Sequence, residues 1–75
     1  MLKAFGQLVR QRRQALGISQ EELGYRAGLD RTYVSGLERG IRNPSLTAIV
    51  SLAQGFGISV SDLASRLEQE MEDAN

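Results

Sequence analysis

Apolar residues recur at helical spacing along almost the whole chain, and polar punctuation cuts them into five segments. The first predicts a helix from about Lys3 to Leu16, with Phe5, Leu8, Val9 and Leu16 on one stripe and Gly17 as its stop. The second opens on Ser19-Gln20-Glu21-Glu22, a capping box, turns Leu23 and Ala27 inward and stops at Gly28. Asp30 caps a third helix that runs to about Arg39 before Gly40. After Asn43-Pro44, Ser45 caps a fourth, whose expected buried face is Leu46, Ile49, Val50 and Ala53 and which ends at Phe56-Gly57. Ser59 begins a fifth, with Asp62 as an imperfect capping box and Val60, Leu63 and Leu67 as its stripe. The acidic tail from about residue 69 is expected to fray. No strand signal or repeat interrupts this pattern, so the expected fold is all-α: five short helices in a single domain over 1–75.

The turn Gly28-Leu29-Asp30 between the second and third helices is very short, the layout of a helix-turn-helix. On a wheel of about 100° per residue, Val34, Leu37 and Ile41 point to the core, while Thr32, Ser35, Gly36 and Arg39 point away. That outer face has no acid and no large apolar group, as close approach to a major groove requires, and Arg31 stands in the first turn, the end that enters the groove. An ordinary solvated face would instead show Glu and Lys at i, i+4 spacing. Glu38 falls on the core side of the wheel, where a carboxylate needs a partner. Arg13, on the flank of the first helix's stripe, is the natural one, in a structural ion pair that fixes the third helix against the first.

Composition narrows the chemistry. With 75 residues, a domain buries only about 60% of its unfolded surface, so its stability is marginal and dimerisation would help. The chain has no cysteine and no histidine, which excludes disulfides, thiol nucleophiles and the usual zinc ligands. No apolar run approaches the roughly 20 residues of a membrane span. Lys3, Gly6, Gln7 and Arg10 interrupt any signal-peptide pattern, so a cytoplasmic protein without membrane contact is expected. There is no glycine-rich phosphate loop, and Glu21 and Glu22 are explained by the helix cap and dipole. Neither enzymatic activity nor a cofactor or metal is expected.

The net charge is zero, but it is unevenly spread. Residues 1–42 hold eight basic side chains against four acidic ones, and residues 43–75 hold only Arg66 against five acids. Seven of the eight N-terminal cations are arginine, whose fork suits phosphates and guanine edges.

From about Phe5 to Leu67 the sequence resembles the XRE-type helix-turn-helix regulators, the lambda-repressor and Cro family. Gln20-Glu21-Glu22-Leu23, Gly28, Val34, Leu37-Glu38-Arg39-Gly40 and Asn43-Pro44-Ser45-Leu46 carry the likeness. Within that family, Leu29 to Asn43 (LDRTYVSGLERGIRN) is similar to the controller proteins of restriction-modification systems, which are short homodimers that regulate their own operon. The resemblance implies that Arg31, Thr32 and Ser35 face bases, with Tyr33 and Arg39 at bases or backbone. Gln20 and Asn43 would hold phosphates, and Arg42 would reach backbone or minor groove. Tyr33 sits on the side of the wheel and could equally pack. Two positions depart from the family: Gly24 stands where alanine is usual, and Arg12 where an apolar residue is common. An antitoxin or other protein-binding module, and a phage-type repressor, remain open as alternatives.

One reading helix touches too few base pairs to select a site, so a homodimer on a palindromic duplex-DNA operator is expected. Its seam is expected in the C-terminal part, at Leu63, Leu67 and Met71 with Ile58 and Val60 nearby, unless Leu63 and Leu67 simply close the monomer core.

Overall fold

The computed structural model describes residues 1–73. These form α1 (Leu2–Ala15), α2 (Gln20–Ala27), α3 (Arg31–Glu38), α4 (Leu46–Phe56) and α5 (Val60–Asp73), with no strand among them. Side-chain oxygens open four of the helices. Ser19 accepts from the Glu22 amide at 3.0 Å, Asp30 from Thr32 at 2.8 Å, Ser45 from Ala48 at 3.1 Å and Ser59 from Asp62 at 3.0 Å. Each bond satisfies an amide that a helix start leaves without an intrahelical acceptor.

The core is one cluster built from every helix. Phe5, Leu8 and Val9 of α1 meet Leu23 and Ala27 of α2, Val34 and Leu37 of α3, Leu52, Ala53 and Phe56 of α4, and Leu63 of α5. α1 packs against α3 and α5, while α2 packs on both α3 and α4. At the crossing of α1 and α3 the backbones nearly touch. A Cβ on Gly6 would lie 2.8 Å from the carbonyl oxygen of Glu38. In the sequence Gly6 stands out only as an interruption of the apolar residues near the N-terminus.

Several expected core positions are not in the core. Ile41 is 64% exposed, because α3 ends at Glu38 and the left-handed Gly40 turns the chain before Ile41 can continue the wheel. In α4 the buried residues are Ala48, Leu52, Ala53 and Phe56, while Leu46 is 75% exposed and Val50 is also exposed. The face of α4 is set by its contact with α2, where a Cβ on Gly55 would come within 3.1 Å of the Ala27 Cβ. Leu16, the C-cap of α1, and Val60, the first residue of α5, are exposed at helix ends. α5 continues past residue 69 to Asp73, and Gln11 donates to Glu70 at 3.3 Å, tying it to α1; the last two residues of the acidic tail lie outside the described residues. Arg12 is half-buried, and its Nε is buried without a hydrogen-bond partner. No single helix among the described residues is long and apolar enough to cross a membrane.

Candidate nucleic-acid interface

α2 and α3 are joined by Gly28, Leu29 and Asp30. Gly28 sits at φ +68, a conformation that costs glycine nothing, and the Leu29 amide then donates to the Gly24 carbonyl at 2.8 Å. Gly24 also brings this turn close, since a Cβ there would lie 2.5 Å from the Leu29 carbonyl oxygen. The result is a short α3 whose first turn stands open to solvent, with Arg31 and Thr32 exposed and Ser35 half-buried. Gln20, at the start of α2, joins Arg31, Thr32 and Ser35 in lining a shallow polar cleft with no acidic wall. Arg39 is exposed and its Nε donates back to the Ser35 carbonyl at 3.4 Å. Asn43 is exposed in the loop before α4.

Behind this face lies a buried charge network. The Glu38 side chain has no solvent exposure. Arg13 grips it with two nitrogens, Nε at 2.6 Å and Nη2 at 3.1 Å, and donates a third hydrogen bond to the Ile18 carbonyl at 2.9 Å. Gln20 Nε2 donates to Glu38 at 3.1 Å, and Arg10 Nε adds a contact at 3.4 Å. Burial pushes the Glu38 carboxyl up. The hydrogen bonds from Arg13 and Gln20, the charge of Arg13 and the bond from Arg10 outweigh that and hold it below the usual carboxylate range. The bond to Glu38, opposed by burial and aided by the carboxylate's charge, raises Arg13 in turn. One carboxylate thereby ties α1, α2 and α3 together. The apolar stripe of α1 points to Arg13 and gives no sign of Arg10, and the resemblance implies for Gln20 only a phosphate contact. In the structure Gln20 lines the cleft and also gives Glu38 one of the two N–H donors of its amide.

Two residues stand differently from the sequence-based expectation. Gly36 is buried rather than on the outer face of α3, because Arg42 covers it. Tyr33 packs: it is half-buried against the core, its hydroxyl accepts from the Ser45 amide at 3.4 Å, and the Arg42 guanidinium stands 5.8 Å from its ring centroid. At the other end of the molecule Leu63 is 1% exposed and belongs to the core, so it is not available to a seam. Ile58 and Leu67 are half-buried against that core, and Val60 and Met71 are each 40% exposed. Among the described residues no group of acids is placed to hold a metal ion.

Comparison with known proteins agrees with this geometry. A helix-turn-helix family profile matches residues 9–63. The control protein C.BamHI of Bacillus amyloliquefaciens is 45% identical over 60 residues, 79% of this chain and 74% of that one. The solved structure of the restriction-modification controller protein C.AhdI from Aeromonas hydrophila superposes with a TM-score of 0.79 at 50% identity, covering 83% of this chain and 94% of that one. The tetramer of the controller protein C.Esp1396I, solved with its natural 35 base-pair operator, matches with a TM-score of 0.85 at 32% identity, over 92% and 91% of the two chains. The chain belongs to the XRE-type helix-turn-helix family, among the relatives of the restriction-modification controller proteins.

Proposed function

We propose that this chain acts as a homodimer that binds a palindromic duplex-DNA operator and regulates transcription of a restriction-modification operon. The observation that carries the reading is the outer face of α3. Arg31, Thr32 and Ser35 line an acid-free cleft with Gln20, and the buried Glu38 network holds that face rigid from behind. An α-helix so presented fits the major groove, where base edges differ in donor and acceptor pattern. Arg31 pairs with a guanine edge, Thr32 and Ser35 face neighbouring bases, and Arg39 lies at bases or backbone. The second N–H of Gln20, together with Asn43, holds phosphates, and Arg42 supplies a further contact. Tyr33 serves this surface by packing beneath Arg42. The protein works in the cytoplasm, where its DNA is, and as a regulator without catalytic chemistry. Support for the operon comes from the names of its relatives, control proteins of restriction-modification systems.

The seam of the dimer is the exposed side of α5, with Val60 and Met71 on its surface, Leu67 and Ile58 at its margin and Leu63 supporting it from the core. The test is selection from random duplexes. The expected product is a palindrome whose half-sites lie one DNA turn apart, about 34 Å. Recovery of no preferred sequence, or binding indifferent to salt, would overturn the proposal.

A further inference from the structure

We infer that Gly36 is a positioning residue for Arg42: by lacking a side chain it opens a notch in α3 that seats the arginine beside the base-reading residues. The inference rests on the DNA-binding reading above and adds to it the source of Arg42's placement.

Three observations converge on Arg42. A Cβ on Gly36 would lie 2.5 Å from Arg42 Cγ, 3.5 Å from its Cβ and 3.6 Å from its Cδ, so the aliphatic stem runs through the space that a side chain at position 36 would fill. The backbone is tethered to the same residue. The Ile41 and Arg42 amides both donate to the Gly36 carbonyl, at 3.1 and 3.3 Å, as the left-handed Gly40 folds the chain back over the end of α3. The guanidinium then reaches the ring of Tyr33, one turn earlier on α3, at 5.8 Å. Tyr33 is itself held by the Ser45 amide at 3.4 Å.

Nothing else accounts for a glycine at this position. Gly36 does not have a positive φ, so an L side chain would suit its backbone. Glycine disfavours a helix interior relative to alanine, and α3 is only eight residues long. Close approach of the DNA does not require it either, because Arg42 already covers it. What alanine would remove is the seat. An arginine seated before binding has less rotamer freedom to lose when it meets the duplex. Arg42 therefore enters the interface as a placed contact rather than as a loose loop cation.

The experiment is a double-mutant cycle on the selected operator, together with nitrogen relaxation of the arginine Nε–H groups in the free protein. Gly36→Ala is expected to remain folded and to weaken operator binding about tenfold, as much as Arg42→Ala does. The double variant should then bind no worse than Arg42→Ala alone. Gly36→Ala combined with Arg31→Ala should show independent losses. In the wild type the Nε–H of Arg42 should be more ordered than that of the exposed Arg31, and Gly36→Ala should erase that difference. Wild-type binding by folded Gly36→Ala would overturn the inference, as would an undiminished Gly36→Ala effect in the Arg42→Ala background. Should Gly36→Ala fail to fold, the wild-type relaxation decides, and an Arg42 as mobile as Arg31 overturns the inference. A wild type that selects no operator would instead defeat the DNA-binding reading, while the relaxation measurement would still decide whether Gly36 seats Arg42.

Discussion

Glu38 keeps a charge where water cannot reach it, and its stability contribution depends on four donated hydrogen bonds. Removing one partner of such a pair leaves the other uncompensated, so Glu38→Ala should cost about 3–5 kcal/mol of unfolding free energy in urea titration at neutral pH. Because the carboxyl is held below its ordinary range, folding at neutral pH is favoured by its ionised form. That contribution is complete above the unfolded carboxylate pKa and is lost as pH falls through the lowered folded value. Acid unfolding followed by circular dichroism should therefore come at a higher pH if Arg13→Met weakens this grip. Arg12 presents the opposite case, a cation with a buried donor and no acceptor. Replacing it with leucine removes an unsatisfied group whose desolvation costs about 1–3 kcal/mol, and the melting temperature should rise. The Arg13–Glu38 pair was legible because Glu38 falls on the core side of its helix and Arg13 flanks the apolar stripe of the first. Arg10 and Gln20 were not, since their reach to Glu38 depends on how closely the helices cross.

At the level of whole elements, caps and glycine stops carried most of the information. Ser19, Asp30, Ser45 and Ser59 each begin a helix or stand just before one, and the spacing of α2 and α3 was enough to suggest the reading motif. Register was less legible where apolar residues surround a helix. In α4, Leu46, Ala48, Ile49, Val50, Leu52, Ala53 and Phe56 span too wide an arc for a wheel to choose a face, and contact with α2 chooses it. The crossing of α1 and α3 was likewise hidden, because a glycine's close approach shows only when its neighbour is known. Gly6→Ala should force the two backbones apart and cost about 1–3 kcal/mol, despite the better helix propensity of alanine. A denaturant midpoint at or above that of the wild type would mean that the crossing relaxes freely.

Across the whole molecule, the basic N-terminal half has fewer free cations than its formula suggests. Arg10 and Arg13 are engaged with Glu38, and Arg26 pairs with Glu22 at 3.0 Å. On and just after α3, the arginines without an ion-pair partner among the described residues are Arg31, Arg39 and Arg42. With Arg31 on a guanine edge as proposed, Arg39 and Arg42 supply about two phosphate neutralisations per protomer and a log–log salt slope of roughly −4 for a dimer, and Arg42→Ala should reduce its size by about 2. Fluorescence anisotropy between low and physiological salt measures both. Assembly should respond to the other end of the chain: Met71→Glu is expected to shift sedimentation toward the monomer while leaving the helical content unchanged. The brace around Glu38 has a longer-term consequence. It reaches α3 from behind, and the side chains of Arg31, Thr32 and Ser35 take no part in it. With those side chains reading the bases as proposed, the address can be rewritten without renegotiating the fold. Two descendants in one cell could diverge to separate operators while remaining interchangeable in their interiors.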